Sequence, residues 1–124
     1  MEQISKNIFI ENKTRGCNPG FVVTSKGIVL IDLPVDVDIA KRWKEEILQH
    51  GEILFIINTE HHMDHIFNNS LFDANIIAHQ LTRDTIATMT LSFIEARTKV
   101  LYNDPFHIPE GHRLRLPNIT YTER

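Results

Sequence analysis

Short runs of β-branched and aromatic residues punctuate the chain between turn-forming residues. The runs Ile8–Ile10, 21–23 and 28–33 predict an N-terminal meander, with Asn, Pro and Gly residues in the connections between them. Ile53–Ile57 and residues 74–78 predict two later strands.

Other segments have apolar residues at helical spacing. The first begins at a capping residue, Asp36 or Asp38, and its apolar residues recur every three or four positions as far as about His50. Residues 82–102 predict the longest helix of the chain, and a short helical turn is expected near residues 66–72. The chain therefore combines strands and helices in alternation.

Length and composition limit how the chain can be organised. Its 124 residues, 42% apolar and 23% charged, suffice for one domain with a core and are too few for two. The sequence contains no internal repeat, low-complexity tract or Gly/Ser linker, so we expect a single domain over residues 1–124. Pro105, Pro109 and Pro117 predict that its last part, residues 103–124, is an extended tail.

The charge balance and the apolar runs exclude some classes of partner. Thirteen Lys and Arg against sixteen Asp and Glu give a formal net charge of −3, which argues against binding to nucleic acid or an anionic membrane. No apolar run approaches the roughly 18 residues of a membrane-spanning helix. No export signal is visible, and the single cysteine excludes an internal disulfide, so we expect a cytoplasmic protein.

Candidate chemistry is concentrated directly after the predicted strand Ile53–Ile57. Within six residues the chain places three imidazoles and two carboxylates, which are donors that suit zinc, iron(II) or manganese(II). We favour a metal site, and the alternative is a solvated polar loop whose histidines cap a helix. The segment reads Glu60-His61-His62-Met63-Asp64-His65.

With these residues the sequence resembles the metallo-β-lactamase superfamily, whose signature His-x-His-x-Asp-His follows a buried strand. Glu60 stands where the signature has its first histidine. Residues 18–23, Asn-Pro-Gly-Phe-Val-Val, and residues 27–32, Gly-Ile-Val-Leu-Ile-Asp, resemble the opening strands of that family. The resemblance implies an α/β (α+β) fold that is the N-terminal half of an αββα sandwich, with a mixed β-sheet and helices on one face.

The resemblance also implies a ligand set. Carried over by position, Glu60 and His62 would bind a first metal ion, and Asp64 and His65 a second. Asp64 would in addition be catalytic, because it would position or deprotonate the attacking water. The expected ions are one or two zinc ions, with iron or manganese as alternatives because a carboxylate at Glu60 is a harder donor than imidazole. Asp32, at a strand end, is expected to orient a ligand histidine.

The sequence assigns no chemical role to the remaining donor residues. His61 occupies an x position of the signature, so the resemblance makes it a non-ligand, although it could replace Glu60 as a ligand if the loop shifted. We expect His79 to be structural, and His107 and His112 to be exposed loop residues. Cys17 needs no functional explanation from the sequence.

The resemblance covers only the first half of the family domain, and the later ligands, two histidines and a bridging aspartate, are absent from the sequence. Residues 28–31 and Ile53–Ile57 are apolar at both alternating sets of positions, which is typical of strands covered on both faces. The predicted helices can cover one face. We expect the other face to bind a second copy of the chain or a separate second-half polypeptide.

Three functions stay open. The favoured one is a metal-dependent hydrolase that cleaves an ester, thioester, amide or phosphoester in a small-molecule substrate, truncated and weakly active or inactive alone. The second is a non-catalytic metal-binding or assembly module. The third is a di-iron redox relative.

Overall fold

The β-branched runs form the strands of one mixed sheet. The computed structural model describes residues 1–102 and 107–123, and within them seven strands pair in the order of the sequence. Strands β1 to β4 pair antiparallel, whereas β4 to β7 pair parallel. The strands are β1 (Glu2–Ser5), β2 (Ile8–Ile10), β3 (Gly20–Thr24), β4 (Gly27–Ile31), β5 (Ile53–Ile57), β6 (Asn75–His79) and β7 (Ile119–Tyr121).

The helices lie in the connections between the parallel strands. Each connection leads to the next strand on the same side, and because such crossovers are right-handed, the helices all lie on one face of the sheet. The fold is thus the expected α/β arrangement of a mixed sheet with helices on one face. The helices are α1 (Val37–Leu48), α2 (Met63–Ile66), α3 (Gln80–Ala87) and α4 (Leu91–Tyr102), with a 3-10 turn at Asn69–Leu71.

The prediction of one long helix over residues 82–102 is wrong, because the chain breaks between α3 and α4. Thr88 ends α3, and its N–H donates to the Thr85 carbonyl at 3.1 Å. The Thr90 hydroxyl then accepts a hydrogen bond from the Phe93 N–H at 3.1 Å, as an N-cap residue does. Threonine hydroxyls that compete for backbone groups in this way favour helix ends over helix interiors.

The start of α1 agrees with the sequence, but its cap does not. Asp36 is the residue before the helix, yet its side chain makes no capping hydrogen bond. Its carboxylate instead accepts from Arg15, with Nη2 to Oδ1 at 2.5 Å and Nε to Oδ2 at 3.0 Å. The ion pair ties the loop after β2 to the start of α1.

The main core lies between the sheet and the helices. Trp43 and Ile47 of α1 belong to the same buried cluster as a row of side chains that crosses the sheet in register. Each residue of that row is fully buried, so the central strands are fixed in place by continuous apolar contact. The row consists of Phe21, Leu30, Ile56 and Ile76.

The opposite face of the sheet is also apolar, as the sequence predicted. Its side chains alternate with those of the core and are only half-buried. The predicted partner for this face stays a prediction. We call these residues the open face: Ile8, Ile10, Val22, Val29, Ile31, Phe55, Ile57 and Ile77.

Part of the predicted tail falls outside the described residues, namely 103–106 and 124. Of the rest, Ile119–Tyr121 forms β7 and pairs parallel with β6. Asn118 fixes the start of this pairing, because its Oδ1 accepts from the Ile76 N–H at 2.7 Å. Within residues 1–102 and 107–123, no helix has the length and apolar character needed to cross a membrane.

Candidate metal centre

The candidate residues lie where parallel strands end. Ile31 of β4 pairs with Ile57 of β5, so the residues that follow them leave the sheet at the same edge. The Asp32 N–H donates to the Ile57 carbonyl at 2.9 Å and holds the two strand ends together. Open sheets of this kind bind ligands at the carboxyl ends of their parallel strands.

Asp32 organises the loop that follows β5. It is buried, with 6% of its surface exposed, and has a φ of 55°, a conformation that Asp tolerates better than most residues. Its Oδ1 accepts from the Thr59 N–H at 2.8 Å, and its Oδ2 accepts from the Thr59 hydroxyl at 2.6 Å. Oδ2 also lies 2.9 Å from His65 Nδ1, which is the contact expected of a residue that orients this histidine.

Asp32 thereby leaves the second nitrogen of His65 free to face the other candidate donors. His65 Nε2 lies 3.0 Å from Glu60 Oε1 and 3.7 Å from Asp64 Oδ2. Burial alone would lower the pKa of His65. The hydrogen bond to Asp32 and the negative charges of Asp32, Asp64 and Glu60 together outweigh burial and raise that pKa.

Glu60 and His62 form the outer part of the site. His62 Nδ1 hydrogen-bonds to Glu60 Oε2, and this contact is the main reason that the pKa of Glu60 lies below its usual value. Their side chains are 42% and 64% exposed, respectively. His61 stacks on His62 with ring centroids 4.5 Å apart, so the non-ligand position borders the same surface.

The four predicted ligands are therefore connected by contacts. Glu60 touches both His62 and His65, and His65 lies next to Asp64. Carboxylate and imidazole donors in this arrangement suit a divalent metal ion, and Asp32 supplies the outer carboxylate that commonly supports a ligand histidine. Their role as ligands stays a prediction.

Cys17 is the residue that sequence reasoning missed. Among residues 1–102 and 107–123, the group of donors whose ligand atoms all lie within 4.8 Å of one another is Cys17, Asp64 and His65. Cys17 Sγ donates to the Asp64 carbonyl oxygen at 2.9 Å. Burial, with the charges of Asp32 and Asp64, raises the pKa of the Cys17 thiol to about 12, so the thiol keeps its proton when no metal is bound.

Gly16 makes the approach of Cys17 to Asp64 sterically feasible. Its φ is 82°, and a Cβ at this position would lie 2.7 Å from Asp64 Cβ and 3.0 Å from Asp64 Oδ2. Any other residue would both strain the backbone and push the loop away. The glycine is the sequence signal that accompanies the cysteine, although neither forms a recognisable motif with Asp64.

His79 and His112 contact other parts of the fold. His79 Nδ1 accepts from the Leu81 N–H at 3.0 Å and caps α3, which agrees with the structural role expected for it. His107 is exposed, also as expected. The expectation for His112 is wrong, because its ring stacks on Phe67 at 4.2 Å and its Nε2 lies 2.8 Å from the Phe67 carbonyl oxygen.

A cavity of about 420 Å³ adjoins the donor cluster, between the loop after β5 and helices α3 and α4. This volume lies within the usual range for small-molecule sites. Its lining includes the polar or charged side chains of His61, His62 and Asp64 from the loop after β5 and of Arg97 from α4. The other side chains around it are Met63, Thr85, Thr88, Met89, Phe93, Ile94 and Leu101.

Comparison with solved structures identifies the fold. No protein-family model matches the sequence, and no curated protein matches it. The DIM-1 metallo-β-lactamase superimposes with a TM-score of 0.60 and 21% identity, covering 69% of this chain and 44% of that one. A metallo-β-lactamase from Pontibacter korlensis gives a TM-score of 0.61 and 15% identity, covering 98% of this chain and 52% of that one.

A third structure, the metallo-β-lactamase from Erythrobacter litoralis, gives a TM-score of 0.55 with 12% identity, over 67% of this chain and 42% of that one. The chain spans about half of the length of the proteins that it matches. At these identities the likeness establishes the fold and leaves activity open. The chain therefore has the metallo-β-lactamase fold, over about half the length of the solved proteins that share it.

Proposed function

We propose that the chain provides the metal-binding half of a metal-dependent hydrolase that cleaves an ester, thioester, amide or phosphoester bond of a small molecule. The observation that carries the proposal is the loop after β5, where Asp32 holds His65 against Glu60 and Asp64 beside a cavity. The solved proteins with the same fold, which are described as metallo-β-lactamases, support it.

The donors fit one or two metal ions. Glu60 with His62, and Asp64 with His65, would hold them, and we propose zinc as the ion, with iron or manganese as the alternatives that the Glu60 carboxylate allows. A bound ion would lower the pKa of a water molecule toward neutrality and polarise the carbonyl or phosphoryl oxygen of the substrate.

The chain's own residues would then share the work of the reaction. Asp32 fixes the ring of His65 through Nδ1 and so keeps Nε2 directed at the other donors. The Asp64 carboxylate would position the attacking water and accept its proton. The hydroxyl of that water adds to the acyl carbon or the phosphorus, and the proton finally resides on the leaving atom.

The cavity restricts the substrate. Its walls carry Met63, Met89 and Phe93, so a substrate with an apolar group would bury that group there. Arg97 lines the same cavity and makes no ion pair with any residue in 1–102 or 107–123. We expect it to pair with an anionic group of the substrate.

The open face provides a surface on which a partner could bind and complete the site. We propose that a second copy or a second-half polypeptide covers the open face and completes the site, and that the isolated chain is weakly active or inactive. No role in binding nucleic acid or membranes is proposed, because the net charge is −3. We place the protein in the cytoplasm on its single cysteine.

A non-catalytic metal-binding module is the second candidate. The contacts among Glu60, Asp64 and His65 support binding of a metal ion whether or not a substrate is turned over. Both candidates require the same metal centre, so turnover is the property that separates them.

Metal analysis combined with a hydrolysis screen tests the proposal. The purified chain is analysed for zinc, iron and manganese and assayed on aryl esters of neutral and carboxylate-bearing acids and on a β-lactam. Because the isolated chain is expected to be weakly active or inactive, the assay is repeated over a range of chain concentrations. Bound zinc with turnover that grows as the chain self-associates supports the hydrolase, metal without turnover at every concentration supports the binding module, and iron that reacts with oxygen supports the di-iron relative. Failure of the chain to bind any of these ions when they are supplied in excess refutes all three.

Matched variants assign any metal and turnover to the site. Asp64→Asn should lose turnover and the metal ion that Asp64 and His65 would hold. Asp73→Asn is the control, because Asp73 is exposed and precedes β6 at the opposite edge of the sheet. In Arg97→Ala the rate on carboxylate-bearing esters should fall while the rate on neutral esters is kept.

A further inference from the structure

We propose that Cys17 supplies a thiolate ligand to the metal ion held by Asp64 and His65, so that a three-donor site lies within this chain. The inference deepens the proposed function and rests on it, because it takes Asp64 and His65 as metal ligands. It assigns a role to a residue that lies 47 positions before Asp64 in the sequence.

The geometry of the cluster is close to that of a metal site. The ligand atoms of Cys17, Asp64 and His65 all lie within 4.8 Å of one another. Around tetrahedral zinc, with bonds of about 2.0–2.3 Å, donor atoms lie roughly 3.5 Å apart. His65 Nε2 and Asp64 Oδ2, at 3.7 Å, already have nearly this separation. Rotation of the Cys17 side chain away from the Asp64 carbonyl would bring its sulfur to the other two donors.

The loop that carries Cys17 is held in place by contacts that do not involve its sulfur. The Thr14 hydroxyl donates to the Cys17 carbonyl oxygen at 3.2 Å and closes a turn. Gly16 packs directly against Asp64, where there is no room for a Cβ. The cysteine is therefore positioned over the acidic residue before any metal binds, which lowers the entropic cost of assembling the site.

The charges of the cluster also suit a divalent cation. The Asp64 carboxylate and a Cys17 thiolate offset the two positive charges of the ion, and the thiol proton leaves to solvent when the ion binds. Asp32, in contact with His65 Nδ1, is the outer carboxylate of the same site. A thiolate is a soft ligand, so the three donors together select zinc over iron or manganese.

A third ligand changes how tightly the ion is held. Catalytic zinc sites have three protein ligands and one position open to water. Asp64 and His65 alone supply two. With Cys17 the chain reaches three without a partner, and it should bind one ion tightly as an isolated polypeptide.

Cobalt(II) substitution tests the proposal through a spectroscopic readout that is independent of activity. A thiolate ligand gives an intense sulfur-to-cobalt charge-transfer band in the near ultraviolet. Cys17 is the only cysteine of the 124-residue sequence, so such a band has one source. The titration uses a phosphine reductant, because an added thiol would itself bind cobalt. A band that saturates at one cobalt per chain and persists on dilution is the expected result.

Variants then connect the band to affinity. Cys17→Ser should lose the band and bind cobalt and zinc at least about tenfold more weakly, since outer residues of zinc sites already contribute this much. Asp73→Asn is the control, because it alters an exposed side chain before β6 and removes none of the three donors. This variant should keep the band.

The outcomes separate this proposal from the metal centre itself. If the wild-type chain binds cobalt without a charge-transfer band, or if Cys17→Ser binds it as tightly as the wild type, Cys17 is not a ligand and the centre built on Asp64 and His65 stands. If the wild type binds no cobalt, both proposals are overturned. The wild-type spectrum decides the matter even if Cys17→Ser does not fold.

Discussion

At the scale of single residues, Asp32 contributes most to the candidate site. One buried carboxylate accepts two hydrogen bonds from Thr59 and contacts His65. It does so from a backbone with positive φ, a conformation that folded proteins keep mainly where the surroundings impose it. The shape of the loop after β5 and the orientation of the histidine thus depend on the same side chain.

Replacement of Asp32 should weaken metal binding more than it weakens the fold. Asp32→Asn tolerates the same φ but has only one acceptor oxygen, so it cannot serve both Thr59 and His65. We expect zinc affinity, measured by competition with a chelator, to fall about 10–100-fold. Asp73→Asn should bind zinc like the wild type. Equal affinities in the two variants would show that the His65 ring needs no carboxylate.

Gly16→Ala should be destabilising for two reasons, and Gly111→Ala separates them. Both glycines have positive φ, but a Cβ at Gly111 meets nothing within 4 Å among the described residues, whereas at Gly16 it meets Asp64 at 2.7 Å. Backbone strain alone should lower the free energy of unfolding of Gly111→Ala by about 1 kcal/mol. Gly16→Ala should lose more than that, and only Gly16→Ala should lose cobalt affinity. Equal losses of stability would mean that the loop moves freely from Asp64.

The sequence identifies some of these residues and conceals others. Glu60, His62, Asp64 and His65 are local to one motif, so their proximity in the fold follows from their proximity in the chain. Asp32 could be inferred because it ends a strand parallel to β5. Cys17 could not, because it meets Asp64 across 47 residues through a loop that no periodicity describes.

At the scale of elements, a buried pair of amides joins the end of β5 to the 3-10 turn Asn69–Leu71. Asn58 and Asn69 are almost fully buried and hydrogen-bond reciprocally, with Nδ2 to Oδ1 distances of 3.1 Å and 2.8 Å. Asn69 also donates to the Arg115 carbonyl at 3.1 Å. The pair fixes both ends of the segment that carries the candidate ligands.

Asn69→Ala should destabilise the protein because it leaves the Asn58 side chain buried without its partner. An unsatisfied buried amide lowers the free energy of unfolding by about 1–3 kcal/mol, to be measured by urea denaturation. In the double variant Asn58→Ala with Asn69→Ala, the loss should be smaller than the sum of the two single losses. Additive losses would show that the two amides act independently.

Elements were predictable where apolar side chains define them. The strand Ile53–Ile57 agrees with the sequence at both ends, because its β-branched run is bounded by polar residues. The strand Glu2–Ser5 was missed because all its residues are exposed and no alternation marks it. The break between α3 and α4 was missed because it depends on hydroxyl hydrogen bonds of Thr88 and Thr90, which apolar spacing does not reveal.

At the scale of the whole molecule, the two faces of the sheet differ in their cover. The helices bury one face, while the open face carries eight half-buried apolar residues on five strands, from Ile8 on β2 to Ile77 on β6. Contiguous apolar surfaces of this kind mark interaction sites. The sequence predicted that these strands are apolar on both faces. It could not identify the partner, because an apolar face would bind a second copy of the chain and a separate second-half polypeptide equally well.

Val29→Lys tests whether the open face is an interface. Val29 lies at the middle of β4 on this face, where a lysine would be solvated in a free chain and buried without a partner in an assembly. We expect the wild-type mass, measured by analytical ultracentrifugation, to increase with concentration, and Val29→Lys to stay monomeric. Val100→Lys is the matched control, since Val100 is 77% exposed on α4 and should associate like the wild type. A wild-type chain that is monomeric at every concentration would exclude self-association and leave a separate second-half polypeptide as the partner to be sought.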